Sequence, residues 1–411
     1  MRGACRKFAT GDSLSPIDRG DGNVMAKLGD VCTIVSGTTP KTSVSEYWDG
    51  DINWITPAEL NEDTVVINES KRKITKAGVN SCGLSPFPAG TVILSSRAPI
   101  GKTAIAGTEM YCNQGFKNLI CSDKIHNKYL FWFLRSKTEM LNSLGRGATF
   151  KEISKSIVEN IEIPLPDISE QRRIADTLDK VSEGIEVCRK MVDELDLMVK
   201  AKFVEMFGDP TGNSFNLSVK PMTEVCEIID GDRGKNYPNA DEFSDEGYCL
   251  FLNAKNVTAS GFNFDNCMYI TKEKDDILRK GKLSRGDVVL TTRGTIGNLA
   301  FYTSDIPYEH MRINSGMVIL RMNRKIINEV FFIEQFKMLL DDIKQKNASG
   351  SAQPQLPISA MREINILLPD IEQQKIFSEF VAKSNKSRLT LQQVLSKIEL
   401  EQKVLMQKYF G

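Results

Sequence analysis

Two stretches of the chain carry apolar residues at seven-residue intervals, and each begins just after a Leu-Pro-Asp-Ile tetrapeptide, at 165–168 or 368–371. In each stretch two such series are offset by three and four positions, which predicts a helix with one apolar seam. The first seam consists of Ile174, Leu178, Val181, Ile185, Cys188, Val192, Leu195, Val199 and Met206. The second consists of Phe377, Val381, Leu391, Leu395, Ile398, Leu405 and Tyr409. Its interruptions, which weaken the seam but can set its register, are Ser384, Arg388 and Gln402.

Seams of this length need an apolar partner. About 38 residues at about 1.5 Å each make a rod of roughly 55–60 Å, which is too long for the face of a small globular domain. We therefore expect the two helices to pair with each other as a coiled coil. The alternative is two independent amphipathic helices, each packed on its own domain. Ser169 is the expected N-cap of the first helix, and Gly208 with Pro210 is its expected end.

The rest of the sequence predicts short strands and one long helix in each half of the chain. The expected strands lie at 91–96, 118–122, 287–292 and 316–322. The expected helices lie at 128–144 and 329–346. After its helix, each half has a turn rich in Gly, Ser and Ala, at 145–150 or 348–355. The pattern is typical of an α+β fold with two tandem mixed α/β domains.

The sequence also contains an internal duplication. Residues 161–174 match 364–377, and residues 90–101 match 286–297, so each repeat unit is a whole domain with its helix. Two similar surfaces in one chain suit a ligand with two similar halves, such as double-stranded DNA. The expected organisation is a disordered extension at 1–24, a first domain at 25–166, a central helix at 167–210, a second domain at 211–369 and a C-terminal helix at 370–411.

Composition narrows the function classes. The 53 basic and 53 acidic residues cancel, which counts mildly against a nucleic-acid binder, although local patches can hide in the average. Nine cysteines without a Cys-x-x-Cys pair, and only His126 and His310, argue against a zinc site and favour reduced thiols in a cytosolic protein. No run of 18 apolar residues predicts a transmembrane helix, and residues 1–24 lack the apolar core of a signal peptide.

Together these motifs resemble the DNA-specificity subunit of type I restriction–modification enzymes. The resemblance covers residues 25–411, and it depends on the order, duplication and spacing of the motifs rather than on any one of them. The motifs are LGDVCTIVSGTTP at 28–40, GTVILSSRAPIG at 90–101 with GDVVLTTRGTIG at 286–297, LPDISEQRRI and LPDIEQQKI at the helix starts, and Phe-Gly at 207–208 and 410–411.

The resemblance implies two target recognition domains, each recognising one half of a bipartite DNA site, with pseudo-two-fold symmetry from the duplication. The two long helices are implied to form an antiparallel coiled coil that spaces the domains. That coil would dock two methyltransferase (modification) subunits, which recruit motor–nuclease (restriction) subunits, in a cytoplasmic host-defence complex. Two alternatives stay open: a bivalent coiled-coil scaffold for protein partners, and a specificity subunit of a related restriction system of another type.

No catalytic centre is evident in the sequence. Residues 97–104 (RAPIGKTA) resemble the end of a phosphate-binding loop, but Ser96 stands where that loop needs Gly, and the second copy has Asn298 in place of Lys102. Neither a methyltransferase Asn/Asp-Pro-Pro-aromatic motif nor a Gly-x-Gly-x-x-Gly cofactor loop is found. We expect a non-catalytic chain without cofactor or metal. The resemblance implies that it acts as part of an endonuclease and adenine-specific DNA methyltransferase complex.

The candidate DNA contacts fall at matching places in the two copies. Arg97 and Arg293 each follow an apolar strand, where a guanidinium can reach phosphate or guanine; an ion pair from strand to helix is the alternative. A second group of candidates lies in polar loops, for which the alternative is an ordinary solvated loop without a DNA contact. These residues are Thr38, Thr39, Lys41, Arg233, Lys235, Asn236 and Tyr237. The expected phosphate contacts are Lys71, Arg72 and Lys73. The turn candidates are Arg146, Thr149, Lys151, Gln353 and Gln355, with Lys255 a weaker one. Trp48 and Trp54 are expected in the core.

Overall fold

The computed structural model of the chain describes residues 17–18, 24–97, 99–147, 151–347 and 355–411. The chain divides into two compact units. The first unit consists of Met1–Arg189 together with Val394–Gly411, and the second consists of Lys190–Gln393. Both units mix helices and strands, as the sequence predicts.

The first unit is built on a five-stranded sheet with strand order β3-β10-β7-β8-β5. Its described strands are β1 Ile17–Asp18, β2 Val24–Lys27, β3 Cys32–Ser36, β4 Trp48–Ile55, β5 Val66–Ile67, β6 Lys73–Ile74, β7 Val92–Ser95, β8 Thr103–Ala106, β9 Tyr111–Cys112, β10 Phe116–Cys121 and β11 Glu162–Pro164. Its shorter helices are α1 Leu28–Val31, α2 Lys76–Ser81, α3 Asn127–Ser136, α4 Thr138–Leu144 and α5 Lys155–Glu159. A long helix, α6, follows at Ile168–Phe207.

The second unit repeats this plan with a sheet of order β13-β21-β18-β19. Its described strands are β12 Val219–Pro221, β13 Cys226–Asp230, β14 Cys249–Leu252, β15 Val257–Thr258, β16 Gly261–Phe262, β17 Tyr269–Ile270, β18 Val288–Thr291, β19 Leu299–Phe301, β20 Met311–Ile313, β21 Met317–Met322 and β22 Asn365–Leu367. Its shorter helices are α7 Met222–Val225, α8 Lys272–Ile277, α9 Glu329–Asn347 and α10 Ile358–Arg362. The second long helix, α11, is Ile371–Phe410. The parallel pair β4–β9 of the first unit recurs as β14–β20, so the duplication extends to strand pairing.

Each long helix contributes to both units. In the first unit, Arg189 of α6 pairs with Glu399 of α11 at 2.9 Å, while the Arg173 guanidinium of α6 lies 6.0 Å from the centre of the Tyr409 ring of α11. In the second unit, Arg388 of α11 pairs with Asp196 of α6 at 3.1 Å, while the rings of Phe203 and Phe377 lie 5.4 Å apart. Within each unit the two helices therefore run side by side in opposite directions, which supports the pairing that the seams predict.

The burial pattern follows the predicted seams. Every residue of both seams is buried or half-buried, including the interrupting Ser384, Arg388 and Gln402. Outside the first seam, Val187 and Leu197 are exposed at 54% and 65%.

Two local expectations need correction. The first long helix is capped by Asp167, not by Ser169: the Asp167 carboxylate accepts the N–H groups of Ser169 and Glu170, both at 2.9 Å. A carboxylate at this position accepts hydrogen bonds from two otherwise free N–H groups, and its negative charge interacts favourably with the positive end of the helix dipole. The hydroxyl and backbone hydrogen bonds hold the pKa of Asp167 below its usual range. The helix ends as expected, at Gly208 in the left-handed region (φ 76°).

The helix expected at 128–144 is divided at Lys137, where the backbone leaves the helical region (φ −102°, ψ 18°). The Lys137 ammonium donates to the carbonyl of Phe410 at 2.6 Å, so the residue at the break also contacts the end of α11. Of the extension expected at 1–24, Ile17 and Asp18 are described, and they pair with Met25 and Val24 as an antiparallel strand. Residues 1–16 and 19–23 lie outside the described residues.

A buried glutamine explains why the Leu-Pro-Asp-Ile sequence is followed by Gln in both copies. Gln171 accepts the N–H of His126 at 2.8 Å and donates to the carbonyls of Lys124 and Pro166 at 3.0 and 2.8 Å. Gln374 repeats the arrangement: it accepts the N–H of Asn328 at 2.9 Å and donates to two carbonyls. Each glutamine thus ties the start of the domain helix to the start of a long helix.

Gln171→Ala is therefore expected to destabilise the first unit, and Gln374→Ala the second, each by about 1–3 kcal/mol. The reason is that the substitution leaves buried backbone groups without partners. Chemical denaturation of each variant measures the free energy of unfolding, with the exposed neighbour Arg172→Ala as control. Two variants as stable as the wild type would contradict this account of the motif.

Candidate nucleic-acid interface

In the first unit, Arg97 is held at the end of β7 by a hydrogen-bonded turn. The Ser95 hydroxyl donates to the carbonyl of Pro99 at 2.7 Å and accepts the N–H of Lys102 at 2.8 Å. The N–H of Gly101 donates to the carbonyl of Ser95 at 3.0 Å, and Gly101 has a φ of 97°, which favours glycine. Arg97 itself is half-buried and has no ion-pair partner among the described residues.

The second unit repeats this turn after β18, with Arg293 in the corresponding place. The Thr291 hydroxyl donates to the carbonyl of Thr295 at 2.5 Å and accepts the N–H of Asn298 at 3.0 Å. Gly297 donates to the carbonyl of Thr291 at 2.9 Å. Arg293 is exposed, and within the described chain it too has no ion-pair partner. The surroundings of the two arginines therefore give no support to the ion-pair interpretation.

The loop after β3 is fixed by two buried indoles. Trp54 donates from Nε1 to the carbonyl of Thr38 at 3.1 Å, and Trp48 donates to the carbonyl of Lys41 at 3.2 Å. The N–H of Thr38 donates to the carbonyl of Cys112 at 3.1 Å. Both tryptophans are core residues, Trp48 exposed at only 7% and Trp54 at 2%, as predicted. They hold the polar loop in place, and the Lys41 side chain is exposed.

The turn Asn113–Gly115, which the sequence reasoning missed, connects this loop to Arg97. Thr39 bonds the Gln114 amide oxygen at 2.6 Å, and the carbonyl of Gly115 accepts the N–H of Ser96 at 2.8 Å. The Asn113 side chain closes the turn by accepting the N–H of Gly115 at 2.9 Å.

The second unit has the same turn at Asn314–Gly316. Asn314 accepts the N–H of Gly316 at 2.9 Å, and the carbonyl of Gly316 accepts the N–H of Thr292 at 2.9 Å. The repeated Asn-x-Gly sequence was the available signal for both turns.

The Gly-rich turn brings a third segment beside Arg97. Glu152 forms antiparallel bridges with both Arg97 and Arg146, and the N–H of Ile153 donates to the carbonyl of Ser96 at 2.9 Å. Arg146 and Lys151 are exposed. In the second unit the N–H of Leu356 donates to the carbonyl of Thr292 at 3.2 Å, with Gln355 exposed beside it. Thr149 and Gln353 lie outside the described residues.

The basic run lies next to the fixed loop of the first unit. Lys71 and Arg72 are exposed, and Lys73 is half-buried in β6. The Arg72 guanidinium lies 3.7 Å from the centre of the Trp48 ring, so a cation–π contact holds it near Lys41.

The corresponding loop of the second unit is residues 230–236. Together with Arg279 and Lys280 it lines a cleft of about 450 Å³. Arg233 donates to the Asp230 carboxylate at 3.1 Å, and Lys235 is exposed. The sequence reasoning missed Arg279 and Lys280, because a chain segment far from the loop supplies them.

Asp232 closes this cleft by accepting the N–H groups of Gly234 and Arg279, both at 2.8 Å. These backbone hydrogen bonds, that of Gly234 first, hold the pKa of Asp232 below its usual range. The carboxylate therefore acts as a fixed acceptor that shapes the loop.

Three weaker candidates lie at the edge of this region. The Tyr237 ring packs 5.7 Å from that of Phe251, at the edge of a hydrophobic cluster. The Asn236 amide donates to the carbonyl of Ile277 at 3.5 Å. Lys255 is exposed on a 3-10 turn.

We call the surface formed by 38–41, 113–115, Arg97, Arg146, Lys151 and Glu152 the first face. The surface formed by 231–236, 314–316, Arg293 and Gln355 is the second face. In the second unit, Arg233 also donates to the carbonyl of Ser315 at 3.2 Å, which joins the loop to the Asn-x-Gly turn. The other segments of each face are joined by the hydrogen bonds above. Together they bring most of the predicted DNA contacts into two equivalent places.

The apparent phosphate-binding loop has another use for its lysine. The Lys102 ammonium donates to the carbonyls of Leu60 and Pro57 at 2.5 and 3.3 Å. In the second copy, the side-chain amide of Asn298 donates to the carbonyl of Val257 at 2.9 Å. Over the described residues, no group of His, Cys, Asp or Glu side chains is arranged to hold a metal ion. In the same part of the chain, no helix is both long and apolar enough to cross a membrane.

The structure resembles solved chains of type I restriction–modification systems. An S subunit from M. genitalium superposes with a TM-score of 0.56 at 17% identity, covering 97% of this chain and 99% of that one. A second chain, from work on the complex assembly and conformational transition of the type I system, superposes with a TM-score of 0.58 at 18% identity, covering 94% and 96%. At these identities the likeness establishes the fold.

Sequence comparison gives the family. The family described as type I restriction modification DNA specificity domain matches twice, over residues 21–196 and 216–402. The type I restriction enzyme MjaIX specificity subunit of Methanocaldococcus jannaschii is 30% identical over 371 residues, covering 84% of this chain and 82% of the relative. The EcoR124I/EcoR124II specificity subunit of Escherichia coli is 27% identical over 160 residues, or 37% of this chain and 39% of the relative. With two matched domains that span most of its length, the chain belongs to the family of type I restriction–modification specificity subunits.

Proposed function

We propose that the chain is the sequence-specific DNA-binding subunit of a type I restriction–modification complex, in which each unit recognises one half of a bipartite DNA site. The observation that carries the proposal is the duplicated face. In both units an arginine without an ion-pair partner among the described residues stands beside an Asn-x-Gly turn and a polar loop. Two equivalent faces with different side chains suit two half-sites of different sequence.

The chemistry of the faces fits DNA. Guanidinium groups bond phosphate or the O6 and N7 atoms of guanine, and hydroxyl and amide side chains bond base edges in the major groove. On the first face and beside it the candidates are Thr38, Thr39, Lys41, Lys71, Arg72, Lys73, Arg97, Arg146, Thr149 and Lys151. In the second unit they are Arg233, Lys235, Asn236, Tyr237, Lys255, Arg293, Gln353 and Gln355, to which we add Arg279 and Lys280. The basic run at 71–73 is assigned to phosphates.

The long helices are proposed to dock two methyltransferase subunits, which in turn recruit motor–nuclease subunits for host defence. Support comes from large apolar side chains that remain exposed outside the paired seams. Val187 and Leu400 are exposed at 54% and 62% in the first unit, and Leu197 and Leu389 at 65% and 59% in the second. Exposed apolar side chains on a helix surface are typical of a protein interaction site.

Two other functions remain in competition. A bivalent scaffold for protein partners is favoured by the net charge of zero. A specificity subunit of a restriction system of another type would share the same faces and differ only in its partner subunits.

The test uses the full chain with and without a type I modification subunit. Alone, the chain should neither methylate nor cleave DNA when S-adenosylmethionine, ATP and Mg²⁺ are supplied. With the modification subunit it should methylate adenines within one bipartite sequence, read by sequencing of methylated genomic DNA. Binding to duplex DNA should weaken steeply with salt, because neutralisation of phosphates by the protein releases counterions.

Each competing function gives a different result. Absence of salt-dependent DNA binding in the assembled complex would favour the scaffold. Methyl transfer by the rigorously purified single chain would refute a non-catalytic role. Activity only with partners of another restriction type would leave the recognition faces standing and replace the type I assignment.

A further inference from the structure

Glu152 occupies an unusual place on the first face, between two arginines. Its backbone forms antiparallel bridges with Arg97 on one side and Arg146 on the other. The Arg146 and Glu152 N–H groups exchange hydrogen bonds with each other's carbonyls at 3.0 and 2.9 Å. Residues directly opposite each other in an antiparallel pair have side chains on the same face, with Cβ atoms about 4.5–5.5 Å apart. A carboxylate here is therefore within reach of both guanidinium groups.

The carboxylate is bound by a third cation instead. The Lys117 ammonium lies 3.1 Å from Oε1 of Glu152 and 3.3 Å from the hydroxyl of Ser96. The Lys117 side chain is 8% exposed, whereas that of Glu152 is 40% exposed. Neither Arg97 nor Arg146 has an ion-pair partner among the described residues. The buried lysine thus neutralises the one carboxylate of these strand bridges that could compete with DNA for the two arginines.

The second unit provides an internal comparison. Lys117 is opposite Leu94 in the β10–β7 pair, and Val318 is opposite Leu290 in the corresponding β21–β18 pair. Glu152 precedes the residue that bonds the carbonyl of Ser96, and Gln355 precedes the residue that bonds the carbonyl of Thr292.

Where the first unit has Lys117 and Glu152, the second unit therefore has Val318, only 1% exposed, and the neutral Gln355. The second unit therefore has neither the lysine nor the carboxylate of this pair, although it has Arg293 at the position that corresponds to Arg97.

We propose that Lys117 is a positioning residue for DNA recognition by the first unit. It holds the Glu152 carboxylate in an internal ion pair and so leaves Arg97 and Arg146 available to DNA. The inference rests on the proposed DNA-binding function. In the second unit the corresponding residues, Val318 and Gln355, are neutral, so no carboxylate at this position competes for Arg293.

The test exchanges the residues of one unit for those of the other. Lys117→Val should free the carboxylate to pair with Arg97 and Arg146. We expect it to lower DNA affinity and to reduce the slope of log affinity against log salt by about 1–2, one for each phosphate that the arginines no longer neutralise. The double variant Lys117→Val/Glu152→Gln reproduces the second unit and should restore both the affinity and the slope. Glu152→Gln alone should bind at least as well as the wild type.

The measurement is binding of the full chain, assembled with its modification subunits, to a pool of randomised duplexes across a salt series, followed by sequencing of the bound DNA. Selection at the first half-site should relax in Lys117→Val and recover in the double variant, while selection at the second half-site stays unchanged. Thermal unfolding of each variant separates recognition from stability, since recovery of binding without recovery of stability still supports the inference.

Wild-type salt slope and half-site selection in Lys117→Val would overturn the inference. A stable double variant that fails to recover would do the same, because it would mean that Lys117 acts through packing alone. Failure of the wild-type complex to bind any duplex would instead refute the proposed function, so the two failures are distinguishable.

Discussion

Alanine at both Arg97 and Arg293 should weaken DNA binding by about 2–6 kcal/mol, because each arginine contributes about 1–3 kcal/mol if it contacts a base and the two sites act independently. The structure gives each arginine the same support: a side-chain hydroxyl closes the turn behind it, and an Asn-x-Gly turn lies beside it. The single variants should therefore affect different half-sites. Arg97→Ala should relax selection at one half-site, and Arg293→Ala at the other.

Selection of bound sequences from randomised DNA, made separately for each single variant, measures this division. Arg173→Ala is a matched control, since Arg173 is exposed on α6, is paired with Glu170 and belongs to neither face. If the arginines touch only phosphates, affinity should fall by a similar amount for all sequences and the salt slope by about 1 for each. Wild-type preference and affinity in both variants would show that the faces are assigned wrongly.

Asp275→Ala should destabilise the second unit by about 3–5 kcal/mol, which is the usual cost of removing one partner of a buried ion pair. Asp275 is fully buried (0% exposed) and pairs with Lys282 and with Arg312, itself only 4% exposed. Arg312 also donates to the carbonyls of Lys280 at 2.7 Å and Leu278 at 3.1 Å. Removal of the carboxylate leaves a buried guanidinium with carbonyl partners and no counter-charge.

The same carboxylate gives stability a pH dependence. Burial alone raises the pKa of Asp275, but hydrogen bonds from Lys282 and Arg312 outweigh it and hold the pKa below its usual range. Because the folded pKa is the lower one, the contribution is fully present above the unfolded value of about 3.9 and is lost as the pH falls through the folded value.

Calorimetric unfolding at neutral pH and at successively lower pH tests both points. The neighbouring Asp276→Ala is the control: it removes only an exposed pair with Lys272, worth about 0.3–0.5 kcal/mol. If the two variants proved equally stable, the buried network would not stabilise the second unit.

Features that depend on local sequence were predictable. The seams from Ile174 and from Phe377 follow from the spacing of apolar residues alone, and burial agrees along both helices. The duplication gave the equivalence of Arg97 and Arg293 before any contact was known. These features can be predicted from the sequence because each depends on residues within one or two turns of a helix or within one or two strands.

Features that depend on distant contacts were not predictable. Lys137, at the break between α3 and α4, contacts a carbonyl 273 residues away, at Phe410. Gln114 and Lys117 reach the first face only because β10 pairs with both β3 and β7. With Ser169 as its cap the first long helix would start at residue 170, but it starts two residues earlier, at Ile168, so Asp167 is the cap; sequence patterns locate such boundaries poorly.

The discontinuity of the first unit has a consequence for synthesis of the protein. Its core includes Phe410, whose ring lies 5.3 Å from that of Tyr129, and residues 394–411 belong to it. All residues of the second unit, 190–393, leave the ribosome before these do. Domains usually fold in the order in which they are made, the N-terminal one first. Here the second unit can complete its core before residues 394–411 are made, so we expect the first unit to be completed last, although its N-terminal part is made first.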